Sequence, residues 1–210
     1  MTIDIHDHQI PDNTHDVYTV TFYQDAILTL VTATPSLVDD WISQIEFIHR
    51  RRLHRLIVGL DVEWRPSFSQ TFNPVATLQL CVGRRCLIFQ ILHAEYIPSS
   101  LKDFLNNDNY TFTGVAIGGD VEKLERDYDI EVARFADLRK LGAEELNARE
   151  LYNAGMQELA RRFLGAELDK PKCVTMSRWD KRWLSNGQVI YACVDAFVSF
   201  EIGRVLIQGD

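Results

Sequence analysis

The first 49 residues contain no lysine and no arginine. They hold eight acids: Asp4, Asp7, Asp12, Asp16, Asp25, Asp39, Asp40 and Glu46. The remaining 22 acids are matched by 22 basic residues further on. The net charge of −8 therefore belongs to the N-terminal region, and the rest of the chain is free to carry a basic face. Cysteine is scarce: Cys81, Cys86, Cys173 and Cys193 show no C-x-x-C spacing. They read as reduced core or surface residues of an intracellular protein and argue against structural zinc. Long apolar runs are missing, since none approaches the ~20 residues that cross a bilayer. The acidic, polar start is wrong for a secretory signal or transit peptide. The expected setting is nucleus or cytoplasm, with no membrane partner. G-x-G-x-x-G and G-K-[ST] are both absent, which excludes a nucleotide cofactor held in such loops. No repeat or linker divides the 210 residues, so one domain is expected over 17–210, behind a flexible acidic terminus at 1–16. His6, His8 and His15 fall in that terminus, where a frayed end explains them better than a metal site does.

The strand and helix patterns are clear in most of the chain. Val17–Phe22 and Ile27–Thr32 are β-branched and aromatic runs joined by a short loop, a hairpin signal. Thr34-Pro35-Ser36 opens a helix with Leu37, Val38, Trp41, Ile42, Ile45 and Ile48 at helical spacing. That helix ends at Arg50-Arg51-Arg52, with Arg55 beyond. Positive charge suits a helix C-terminus, and nucleic-acid contact is the lesser reading. Ile57–Trp64, Val75–Val82 and Cys86–Gln90 follow as strands in a meander, separated by turns at Arg65–Phe68 and Gly83–Arg85. Pro98–Leu105 is a short helix and Tyr110–Ile117 a fourth strand, running through Gly118-Gly119-Asp120 into a helix over Val121–Tyr128. Phe135–Leu138 reads as a short strand, 143–151 as helical, and Met156–Leu164 as an amphipathic helix stopped by Gly165. A last helix spans about Asn186–Ile207.

The chemistry starts at the end of the Ile57–Trp64 strand. Asp61 and Glu63 are two apart and point to the same face. Like charges side by side resist burial unless something compensates them, and a divalent cation does so well. A solvated strand end is the competing reading. Asp120 at a strand-to-helix junction is either a helix N-cap or a metal ligand. On the last helix Tyr191 and Asp195 are four apart and share a face. An acid on so apolar a helix needs a partner. Residues 160–185 carry Arg161, Arg162, Lys170, Lys172, Arg178, Lys181 and Arg182 against Glu167, Asp169 and Asp180, a local charge of +4, with Trp179 and Trp183 interleaved. Such a segment either binds nucleic acid, by neutralising phosphates and stacking bases, or is a solvated loop over packed tryptophans.

Taken together, Asp61, Glu63, Asp120, Tyr191 and Asp195 resemble the DEDDy class of 3′→5′ exonucleases. The likeness is nearest to the Werner-syndrome-type exonuclease domain, with the RNase D family more distant. It covers about residues 55–207 and rests on three motifs in order: Leu60-Asp61-Val62-Glu63-Trp64 with Ala76–Leu80, then Gly114–Asp120 with Lys123-Leu124, then Tyr191–Phe197. Leu159–Gly165 and Ser177-Arg178-Trp179 resemble the family's approach to the third motif. The Gly118-Gly119 pair departs from the bulkier residues usual there. The resemblance implies an α/β, ribonuclease-H-like (DnaQ-like) fold: a mixed central sheet flanked by helices, with an N-terminal hairpin and helix as an extension.

It also implies a two-metal phosphodiesterase using Mg²⁺ or Mn²⁺. Asp61 would bridge both ions, Glu63 and Asp195 would complete the site of the ion that activates water, and Asp120 would hold the second. Tyr191 would orient the water. A nucleoside 5′-monophosphate would leave the 3′ end of DNA or RNA. Trp64, Arg178, Trp179, Lys181 and Arg182 are the candidates for nucleic-acid contact. The alternative is a catalytically silent nucleic-acid-binding or assembly module with the same fold. A homo-oligomer is a further expectation, through acidic N-terminal strands meeting a basic face of another copy.

Overall fold

The computed structural model describes residues 3–67 and 72–209. In chain order the elements are β1 (Ile3–Asp7), β2 (His15–Phe22), β3 (Asp25–Thr32), α1 (Pro35–His49), β4 (Leu56–Trp64), β5 (Val75–Val82), β6 (Arg85–Phe89), α2 (Ser99–Leu105), β7 (Tyr110–Gly114), α3 (Ile117–Tyr128), β8 (Phe135–Asp137), α4 (Leu138–Glu145), α5 (Met156–Leu164), α6 (Lys172–Thr175) and α7 (Asn186–Gln208). The strands form one sheet in the order β1-β2-β3-β6-β5-β4-β7-β8. Within its half β6-β5-β4-β7-β8, only β5 runs against its neighbours. The N-terminal hairpin continues the same sheet through a parallel pairing of β3 with β6.

β4 and β5 are neighbouring interior strands, and every residue of β5 is buried. β4 is buried from Leu56 to Leu60 and opens only at its C-terminal end, at Asp61, Glu63 and Trp64. α7 lies across β4 at unusually close range. A Cβ on Gly59 would stand 1.9 Å from the Ala196 carbonyl oxygen, and one on Gly203 would stand 2.6 Å from Thr113 Oγ1. The Thr113 hydroxyl donates to the Ser199 carbonyl at 2.9 Å and ties α7 to β7. α7 is buried over most of its circumference, as a helix apolar on nearly all sides must be. Ser185 and Gln188 form a reciprocal capping box that fixes its start. No helix among the described residues is long and apolar enough to cross a membrane.

Three elements differ from expectation. Ile3–Asp7, expected to fray, pairs antiparallel with β2 along its whole length. The fourth strand ends at Gly114 rather than Ile117, because Ala116 takes a left-handed conformation (φ 59°) and Ile117 already begins α3. The helix expected over 143–151 starts earlier, at Leu138, where the Asp137 carboxylate caps the Arg139 N–H. It stops before Asn147, which is left-handed (φ 49°), and Arg149–Asn153 forms a separate 3₁₀ turn. The turn expected at Arg65–Phe68 runs into residues 68–71, outside the described residues.

Candidate active site

Asp61 and Glu63 project from the open end of β4 on the face that Gly59 clears for α7. Asp195 comes from α7 and is only 4% exposed. Tyr191 lies one turn before it. Asp120 comes from the first turn of α3. It is not the N-cap, a position taken by Ala116. The backbone before it is held by Asp137, whose Oδ1 accepts the Ala116 N–H at 3.2 Å while Arg139 binds Oδ2 at 2.6 Å.

The acids sense one another. Burial pushes the Asp61 carboxyl well above the usual carboxylate range, and the charges of Asp195 and Asp120 add to this. Burial and the charges of Asp61 and Asp195 push Glu63 up to about 10. Burial and the Asp137 charge push Asp120 up to about 7. Burial also raises Asp195, against the opposing pull of Lys170. Tyr191 is raised by burial and by the Asp195, Glu63 and Asp61 charges, so its hydroxyl keeps its proton.

Lys170 supplies the partner that Asp195 needs. Its Nζ donates to Asp195 Oδ2 at 2.5 Å and to the Tyr191 hydroxyl at 3.3 Å, and it lies 4.9 Å from the Tyr191 ring centre. The sequence places Lys170 in a basic segment but gives no sign that it turns inward. Asp61 Oδ2 is buried without a hydrogen-bond partner. Among the described residues, no three acids, histidines or cysteines close into a ready-made cation cage. The donor set is nevertheless one that a hard cation takes: carboxylate oxygens, buried, one of them orphaned, with an ammonium already drawn among them.

Beside Asp120 lies a cleft of about 540 Å³, lined in part by Trp64, Phe72, Gly119, Lys123 and Arg126. Trp64 is 38% exposed and Phe72 55%. Lys123 Nζ stands 4.9 Å from the Trp64 ring centre and 4.3 Å from that of Phe72, and the Arg126 guanidinium is 4.1 Å from Phe72. Phe72 and Arg126 carry no signal of this role in the sequence. The basic segment is more neutral than its composition suggests. Arg178 pairs with Asp180 at 2.9 Å, and Glu158 takes both Arg161 and Arg162. Trp179 is fully buried, with its indole N–H on the Thr175 carbonyl and its ring 5.9 Å from Tyr191. It packs behind Tyr191, which corrects its expected place as a stacking surface. Lys181 and Arg182 are exposed, and their carbonyls accept the Gln90 side chain.

Residues 32–207 match the 3′-5′ exonuclease domain family. The chain belongs to that family. A 3′-5′ exonuclease of Arabidopsis thaliana is 34% identical over 152 residues, 71% of this chain and 52% of the relative. The bifunctional 3′-5′ exonuclease/ATP-dependent helicase WRN of Mus musculus is also 34% identical over 152 residues, which make up 11% of that protein. The chain thus spans about half, or less, of these relatives. Escherichia coli RNase D superposes with a TM-score of 0.68 at 20% identity, over 85% of this chain and 44% of that one. The Aedes aegypti Nibbler EXO domain gives 0.65 at 21%, over 85% and 86%. The exonuclease fold is therefore ribonuclease-H-like, as the motifs imply. β1, β2 and nearly all of β3 precede the matched residues.

Proposed function

We propose that this exonuclease-family chain hydrolyses nucleic acid from the 3′ end to nucleoside 5′-monophosphates by the DEDDy, metal-dependent route. The reading is carried by the charge effects that Asp195 of α7 and Asp120 of α3 exert on buried Asp61 of β4, by the unpartnered Asp61 oxygen, and by Tyr191 beside Asp195. Asp61, Glu63, Asp120 and Asp195 would hold divalent cations, Mg²⁺ or Mn²⁺. Bound there, such ions would supply an activated water and neutralise charge on the phosphate. Burial and the neighbouring acids hold the Tyr191 proton in place without a cation, and beside bound ions Tyr191 would orient the attacking water. Lys170 neutralises Asp195 and would have to release its Oδ2 for that oxygen to hold a cation. Trp64 and Phe72 offer aromatic surface to the terminal bases beside Asp120. Lys181 and Arg182 are left for phosphates further along the strand. DNA or RNA is the substrate class.

The test is product analysis. With Mn²⁺, chromatography of a digested oligonucleotide is expected to give 5′-monophosphates alone. Tyr191→Phe should lower kcat about 10²-fold with little change in KM. Nucleoside 3′-monophosphates, or no loss of rate in Tyr191→Phe, would refute the assignment.

A further inference from the structure

A second concentration of charge lies at the opposite end of β4. A cavity of about 510 Å³ opens where β4 and β7 begin and α7 ends. Arg52, His54, Arg55 and Arg134 ring it, over Ile57, Thr111 and Ile207. Among the described residues no carboxylate lines it, in a chain whose net charge is −8. Arg52, Arg55 and Arg134 form no ion pair with any described acid.

The backbone that presents these groups is tied down. Gln208 Nε2 donates to the Arg55 carbonyl at 3.0 Å, and the Arg134 carbonyl accepts the Phe112 N–H at 2.9 Å. Arg52 turns Nε and Nη2 onto His49 Nδ1, at 3.2 and 3.1 Å. Helix ends account for part of the charge, since α1 and α7 both finish here. Arg50, for example, donates to the Phe47 carbonyl at 2.8 Å. They do not account for Arg134, which lies in the loop before β8. Uncompensated like charges around a cavity favour an anion. The lining contains no Phe, Tyr or Trp ring on which a base could stack. Guanidinium forks match phosphate oxygens, and the Thr111 side chain on the cavity floor adds a hydroxyl.

We propose that this cavity is a phosphate site, filled by backbone phosphates of the substrate strand away from its 3′ end. The source of the phosphate, though not the site itself, rests on the exonuclease reading. Ile57 and Asp61 share one face of β4. Gln208 lies thirteen residues beyond Asp195 on α7, about 20 Å along the helix. A strand held at the acids reaches that far only if it is several nucleotides long.

The experiment compares Arg55→Ala/Arg134→Ala with the parent, both in an Asp61→Ala background that blocks cleavage. Binding of single strands of about 20 and about 4 nucleotides is measured against salt. Loss of two phosphate contacts should reduce the slope of log K against log[salt] by about 1.4 for the long strand and leave the short one unchanged. Melts with tripolyphosphate form the second arm. Stabilisation of the parent but not of the variant, without a change in strand binding, would keep the phosphate site and reassign its source to free polyphosphate. Identical salt slopes together with identical tripolyphosphate melts would overturn the proposal. Failure of the exonuclease reading would appear separately, as no cleavage by the chain that retains Asp61.

Discussion

Lys170 and Asp195 form an ion pair that is largely removed from water, with side-chain exposures of 22% and 6%. Removing the ammonium leaves a buried acid uncompensated, so Lys170→Ala should cost the metal-free protein about 2 kcal/mol. The same change removes a competitor for Asp195 Oδ2, so the midpoint for Mn²⁺ should fall to lower concentration. Melts in EDTA and across an Mn²⁺ series read both effects. An unchanged midpoint would show that Lys170 stays in place when the metal binds. At this scale the sequence was legible where chemistry forces a pattern. Asp61 and Glu63 are spaced for one strand face, and Tyr191 and Asp195 for one helix face. The need for a partner at Asp195 could also be read, but not its identity. Lys170 lies 25 residues away, and which lysine of a basic segment turns inward is decided by packing. Trp179 shows the same limit in reverse. A tryptophan in a basic segment looks like a stacking surface until the fold buries it behind Tyr191.

The elements are held against one another by glycines whose roles the structure separates. A methyl group on Gly59 meets the Ala196 backbone at 1.9 Å, and backbone cannot give way cheaply. Gly59→Ala should therefore cost at least about 3 kcal/mol or abolish folding, read by urea titration. Gly118 and Gly119 have open space at their Cβ positions and sit in the first turn of α3. Alanine at either should stabilise by up to about 1 kcal/mol, because the unfolded chain loses freedom and the helix gains propensity. A loss at Gly118 or Gly119 would indicate that the α3 turn needs glycine after all. The strands and long helices were readable because period-2 and period-3.6 burial mark them directly. Apart from β1, expected to fray, the errors fall at junctions. Ala116 takes a left-handed turn that favours glycine, and Asp137 stabilises it by accepting its N–H. That side chain also starts α4 early by capping the Arg139 N–H. One carboxylate thus sets two boundaries that local propensity places elsewhere.

On the scale of the whole molecule, the acid cluster makes stability depend on pH and metal together. Asp61, Glu63 and Asp120 are raised in the folded state. The stability linked to such groups is present below their unfolded values near 4 and is lost as pH rises through the folded ones, about 7 for Asp120 and about 10 for Glu63. His49 is lowered by burial and by Arg52 and Arg85, so its opposite contribution is complete above about pH 7 and does not mask the effect. The Tm of EDTA-treated protein should fall between pH 7 and 9, and Mg²⁺ should flatten that fall. A pH-independent Tm in EDTA would mean that the acids carry their charge without strain. The N-terminal strands belong to the same scale. They extend the sheet by pairing β3 with β6, largely ahead of the residues that match the family. The strand character of β2 and β3 was legible, that of β1 was not. Nor was their place at the sheet edge, because parallel pairing between β3 and β6, more than 50 residues apart, leaves no local mark.

The most direct test of the account is a cleavage ladder. A 5′-labelled single strand and a recessed-3′ duplex are incubated with Mg²⁺, Mn²⁺ or EDTA, beside Asp61→Ala. The account predicts metal-dependent shortening from the 3′ end by the parent, none in EDTA, and none by Asp61→Ala, which should melt no lower than the parent in EDTA. Undiminished cleavage by a folded Asp61→Ala protein would contradict it.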